Sequence, residues 1–85
     1  MSRLTFHFAP RWKEELVVTG PGGSFILSFW MGIPTVNIPP EAEWRKRAPH
    51  WVQPLWTTLY EELAVWCQAN NATLEVEKGA SVYGF

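Results

Sequence analysis

The chain has 85 residues, 47% apolar and 18% charged, with seven basic against eight acidic side chains for a net charge of −1. Two domains are excluded, because each half would fall below the roughly 40–50 residues needed to bury enough surface, and disorder is excluded by six Trp, five Phe and two Tyr, which bury much area per residue ordered. With charges near balance no global field draws the protein to nucleic acid or an anionic membrane, so any such binding must be local.

Residues 3 to 8 alternate, with Leu4, Phe6 and Phe8 on one side and Arg3, Thr5 and His7 on the other, the period of a half-buried strand. Ala9-Pro10-Arg11-Trp12-Lys13 reads as a connection, because Pro10 lacks a ladder donor. Two β-rich runs, Glu14 to Thr19 and Ser24 to Met31, flank Gly20-Pro21-Gly22-Gly23 and predict a β-hairpin whose turn supplies positive φ. Pairing Thr19 with Ser24 sets Val18 opposite Phe25, Val17 opposite Ile26, Leu16 opposite Leu27 and Glu15 opposite Ser28. Leu16, Val18, Phe25, Leu27 and Phe29 then share one face; Glu15, Val17, Ile26, Ser28 and Trp30 share the other.

Thr35-Val36-Asn37-Ile38 predicts a short fourth strand, stopped by Pro39-Pro40. A short helix from Pro40 to Ala48 follows, with Glu in its first turn and Arg and Lys in its last, as the helix dipole favours. The longest helix spans about residues 51–70: Val52, Leu55, Trp56, Leu59, Leu63, Trp66 and Cys67 fall within an arc of about 120° at 100° per residue. Pro54 fits only its first turn, and Asn70-Asn71 can end it through a left-handed cap. Thr73 to Lys78 alternates again, with Leu74 and Val76 inward and Glu75 and Glu77 outward; the tail 79–85 can add a few paired residues. The expected fold is α+β, one domain over residues 1–85: an antiparallel meander in the order β-β-β-β-α-α-β with both helices on the Phe25/Leu27/Phe29 face. The sequence leaves open whether the last strand joins centrally or at an edge.

Few residues point to catalysis. All eight acids are Glu, which removes the Asp of hydrolase triads and of Ca²⁺ loops. Cys67, the single thiol, lies in the apolar arc and reads as a small core residue. His7 and His50 show none of the spacings that build a metal site, and Gly20 to Gly23 lacks the Lys-Ser/Thr and helix of a phosphate loop. Glu61 and Glu62 are adjacent on the long helix, diverge by about 100°, and read as a solvated face rather than an acid/base pair. The expectation is a non-enzyme without metal or cofactor. A lone cysteine forms no internal disulfide, no stretch approaches the ~20 apolar residues of a membrane span, and the N-terminal run lacks a signal-peptide pattern, so a reducing cytoplasm is the expected location.

Two features exceed what folding requires. On the outer sheet face Val17, Ile26 and Trp30 gather beside Thr5, His7 and Ser28, more apolar than a solvated face normally is. Either the tail Val82-Tyr83-Gly84-Phe85 folds over them, or Trp30, Val17, Ile26 and His7 bind another protein or a second copy as a homodimer. That makes the chain a small non-catalytic protein-binding module of inhibitor, immunity or accessory type. The alternative is a nucleic-acid-binding module, in which Arg11, Lys13, Arg45, Lys46 and Arg47 meet phosphates while Trp12 or Trp44 stacks on bases.

Overall fold

The computed structural model describes residues 5–11, 14–30 and 32–84; the readings given above for Arg3, Leu4, Trp12, Lys13, Met31 and Phe85 fall outside them. One mixed sheet carries strands β1 (His7–Arg11), β2 (Glu15–Gly20), β3 (Gly23–Trp30), β4 (Thr35–Ile38) and β5 (Thr73–Val76) in that spatial order, and β6 (Val82–Gly84) also pairs with β3. Between β4 and β5 the chain forms helix α1 (Glu41–Arg47), a 3₁₀ helix (His50–Leu55) and helix α2 (Trp56–Ala69). Strands β1 to β4 form the antiparallel meander that the alternation predicts, and the helices cover one face of the sheet.

The hairpin register agrees pair for pair with the sequence reading, from Glu15↔Ser28 through Thr19↔Ser24. Gly23, at φ 146°, takes the backbone conformation that a side chain would resist. Gly22 serves a different end. A Cβ there would come within 2.5 Å of the Trp51 ring, so the bare glycine lets the indole lie flat over the turn and tie the hairpin to the helix layer.

Strand β1 begins and ends later than the alternation of residues 3 to 8 suggests. Ala9, Pro10 and Arg11, expected as a connection, pair with Val17, Leu16 and Glu15. Pro10 is tolerated because β1 is an edge strand and needs no donor on its open side. Phe6 lies just before the strand, and its N–H donates to Glu62 Oε1 (2.8 Å) while the Thr5 N–H donates to Glu62 Oε2 (3.0 Å). Glu62 is therefore not simply a solvated acid: one carboxylate on α2 clasps the backbone leading into β1. Hydrogen bonds to a charged acceptor contribute about 1.5–3 kcal/mol when shielded, and this pair is partly solvated, so Glu62→Ala should cost about 1–2 kcal/mol. Hydrogen exchange should quicken about tenfold or more at the Thr5 and Phe6 amides, with the β2–β3 hairpin unaffected.

The last strands settle what the sequence left open. Strand β5 joins at the edge, parallel to β4, with Val36↔Leu74 and Ile38↔Val76 in register; Leu74 packs on the core as expected, but Val76, expected inward, is 46% exposed because it lies on the open edge strand. Parallel neighbours need a long crossover, here supplied by the whole helical segment. Pro39 and Pro40 lack N–H donors and turn the chain away from the sheet before β4 can run the length of β3. That leaves the Phe25–Leu27 edge of β3 unpaired, and β6 takes it: Phe25↔Gly84, Ile26↔Tyr83 and Leu27↔Val82. The tail thus extends the sheet in its plane instead of folding over the outer face.

The core lies between sheet and helices. Leu16, Val18, Phe25, Leu27, Val36 and Ile38 meet Trp44, Val52, Leu59 and Leu63, all fully buried. The predicted apolar arc is the inward side of α2 and of the preceding 3₁₀ helix, while Thr57, Glu61, Ala64 and Gln68 are exposed. The predicted single helix is divided: residues 50–55 form the 3₁₀ turn that holds Pro54, and α2 starts only at Trp56, beyond the residue that lacks an N–H for the α-helical ladder. At its far end Asn71 adopts φ 54°, and the Ala72 N–H reaches back to the Cys67 carbonyl at 2.8 Å, the left-handed cap expected of the Asn pair.

Candidate functional site

Pleating assigns the outer face row by row. Val17 pairs with Ile26, and Ile26 with Tyr83; Glu15 pairs with Ser28, Ser28 with Asn37, and Asn37 with Glu75; Trp30 pairs with Thr35. No helix covers these rows. Two clefts open along them. The first, about 420 Å³, has Ile26 and Ser28 between Tyr83 and Ser81 on one side and Glu14 and Glu15 on the other. The second, about 290 Å³, lies among Trp30, Ile33, Thr35, Asn37, Glu75 and Glu77.

Among the described tryptophans Trp30 alone is exposed, at 59%, and Ile33 and Tyr83 stand at 75% and 56%. The other described indoles are engaged. Trp44 donates to the Val52 carbonyl (3.1 Å) and Trp56 to the Pro39 carbonyl (2.8 Å), while Trp66 packs between Phe8 and Phe29. Among the described residues no hydrogen bond or ring contact engages the Trp30 side chain, and a large apolar ring so placed offers area for a partner to desolvate.

The four residues expected to act together share the face but not one spot. Val17 and Ile26 are cross-strand partners, and Ile26 is only 6% exposed, a floor rather than a contact surface. Trp30 lies four residues further along β3, about 13 Å away at roughly 3.3 Å per residue. His7 pairs with Thr19, in the row of Ser24 at the opposite end of the sheet, about 20 Å from Trp30 by the same rise. His7 therefore stands apart from the Trp30 cleft. Tyr83, Ile33 and Asn37 were missed: the first two depend on where a tail and a loop settle, and Asn37 looks unremarkable until β4 has neighbours on both sides.

The face is also acidic. Glu14, Glu15, Glu75 and Glu77 line the two clefts, and no Lys or Arg does so among the described residues. Glu14 is held at φ 58° while its carbonyl accepts the Phe29 N–H at 3.0 Å. Glu15 is paired with Arg11 at 2.8 Å. Glu75 and Glu77 have no ion pair among the described residues.

The cationic segment is arranged differently from the nucleic-acid alternative. Trp44 is 0% exposed and meets Phe25 edge-on at 5.5 Å, so it offers no face to a base. On α1, Arg45 pairs with Glu41, and both Lys46 and Arg47 with Glu43. Arg47 also donates to the Ala80 carbonyl, fastening the loop before β6. These cations sit in i,i+3 and i,i+4 ladders along one exposed helix, the arrangement of a self-compensated surface.

Cys67 is buried in the core, 3% exposed, and burial pushes its thiol up to about 11. A raised thiol pKa in the folded state favours the neutral form. That preference is fully present below pH 9, the ordinary value, and is lost as pH climbs toward 11. The native protein should therefore react with an aromatic disulfide reagent at pH 8 far more slowly than the unfolded chain, with a rate that rises in step with denaturant-induced opening. No group of three or more His, Cys or Glu is placed to hold a metal among the described residues, and no described helix is long and apolar enough to cross a membrane.

Fold and surface together define an α+β domain with one sheet face covered by helices and the other open, where Tyr83 and Trp30 stand on either side of a polar row and carboxylates line both clefts. Comparison with protein-family models, with curated protein sequences and with solved structures finds no match to this chain, so its chemistry is read from the site alone.

Proposed function

We propose that this protein is a small non-catalytic binding module that docks its open sheet face on another protein. The observation that carries the reading is Trp30, a ring 59% exposed on a regular strand, next to Ile33 and above a cleft with acidic walls. A partner of matching chemistry presents an apolar knob ringed by basic side chains. Charge favours such a partner over a second copy, because two-fold pairing of this face would set one carboxylate rim against another. The reading covers inhibitor, immunity and accessory types alike, without choosing among them.

The test is parallel capture with wild-type and Trp30→Ala protein, followed by titration of the purified partner at several salt concentrations. The reading expects one stoichiometric basic protein, lost on substitution and weakened by salt. Equal capture by both proteins would overturn it, as would a wild-type chain that binds only itself.

A further inference from the structure

The cleft beneath Trp30 has a lining that selects its occupant. Asn37 is 8% exposed, yet its amide makes no hydrogen bond within the described protein and lies on the outer face, in the cleft wall. Its polar atoms are not sealed from solvent, so an occupant that displaces water from the cleft must supply the hydrogen bonds that water gave. The Thr35 hydroxyl has committed its proton to the Ile33 carbonyl (2.8 Å), so its oxygen offers the cleft only lone pairs. Glu75 lies beside Asn37 in register, and Glu77 follows two residues later on the same side. Thr35 and both glutamates thus present acceptors only, and the Asn37 carbonyl adds another.

The complement of such a lining is a cation rich in N–H donors and flat enough to lie against an indole. At about 290 Å³ the cleft falls just below the roughly 300–1,000 Å³ of small-molecule sites, a size that suits one long side chain. We infer that it receives an arginine side chain of the partner protein: the guanidinium stacks on Trp30, its N–H groups reach Glu75, Glu77 and the Asn37 carbonyl, and its methylenes pass Ile33. Arginine is preferred to lysine because a planar fork can meet several acceptors while stacking, whereas an ammonium is a compact, strongly hydrated charge. The inference rests on the outer face being a docking surface and adds what the partner brings to it.

The test uses isotope-labelled protein and three small probes, the N-acetyl N-methylamides of arginine, lysine and citrulline, the last an uncharged isostere of arginine. Arginine amide should shift the Asn37 side-chain amide and Trp30 indole signals with a Kd of about 1–10 mM, as expected of a single side chain. Lysine amide should bind several-fold more weakly and citrulline amide not measurably. In the variant Glu75→Gln/Glu77→Gln the arginine response should fall at least fivefold with the thermal transition unchanged. No shift with arginine amide up to about 50 mM, equal shifts with lysine or citrulline amide, or an undiminished response in the double variant would each overturn the inference. Its failure can be told from failure of the docking reading. If the double variant holds the captured partner as tightly as wild type while Trp30→Ala loses it, docking stands and the arginine site falls; if neither variant changes capture, the docking surface itself falls.

Discussion

Replacing Trp44 by Ala should cost about 3–5 kcal/mol, the range for emptying a fully buried aromatic site. The indole sits at the junction of α1, the 3₁₀ helix and β3, edge-on to Phe25 and bonded to the Val52 carbonyl. Removing it opens a cavity and also leaves that carbonyl without its donor. For a chain of this length the thermal midpoint should fall by more than about 12 °C, and urea unfolding should show an unchanged slope with a lower midpoint. The same variant bears on the nucleic-acid alternative, which expects lost binding on an intact fold. A midpoint within about 4 °C of wild type would mean that Trp44 is not the core residue described.

The opposite pattern is expected at Trp30. Its ring is mostly in water, so Trp30→Ala should lower stability by about 1 kcal/mol or less, from lost strand preference and partial packing on its neighbours. Affinity for the docked protein should fall much further, by about 2 kcal/mol or more, roughly thirtyfold, as for a desolvated aromatic anchor. Most of the loss should appear in the dissociation rate, because a neutral ring does not steer encounter. Substitution of the rim carboxylates should instead slow association and flatten its salt dependence. Set side by side, the two tryptophans make a controlled pair: one change should unfold and the other unbind. If Trp30→Ala destabilised the fold as strongly as Trp44→Ala, Trp30 would be a structural residue and the docking surface would lose its anchor.

Much of this architecture is legible in the residues because the forces that set it are local or periodic. The hairpin register follows from two alternating runs around a glycine-rich turn, and a slip by one residue would send Leu16, Val18, Phe25 and Leu27 into water. The inward arc of α2 follows from a 3.6-residue period, with Leu59, Leu63 and Cys67 buried on it, and Val52 of the preceding 3₁₀ turn joins the same core. The outward pointing of Trp30, Glu75 and Glu77 needs nothing beyond pleating. Where local signals misled, position in the sheet was the reason. Pro10 breaks an interior strand but not an edge one, and Glu62 is surplus on an isolated helix until a strand entrance arrives beside it.

The candidate site was half visible for the same reason. By itself the sequence determined that Val17, Ile26 and Trp30 face away from the helices. Only the tertiary structure decided that β5 lies alongside β4 and so brings Glu75 next to Asn37, that β6 fills the edge vacated at Pro39 and sets Tyr83 beside Ile26, and that His7 stands at the far end from Trp30. Alternation fixes which side of a strand a residue faces. Which strands become neighbours depends on crossovers tens of residues long, whose outcome rests on the packing of the whole core.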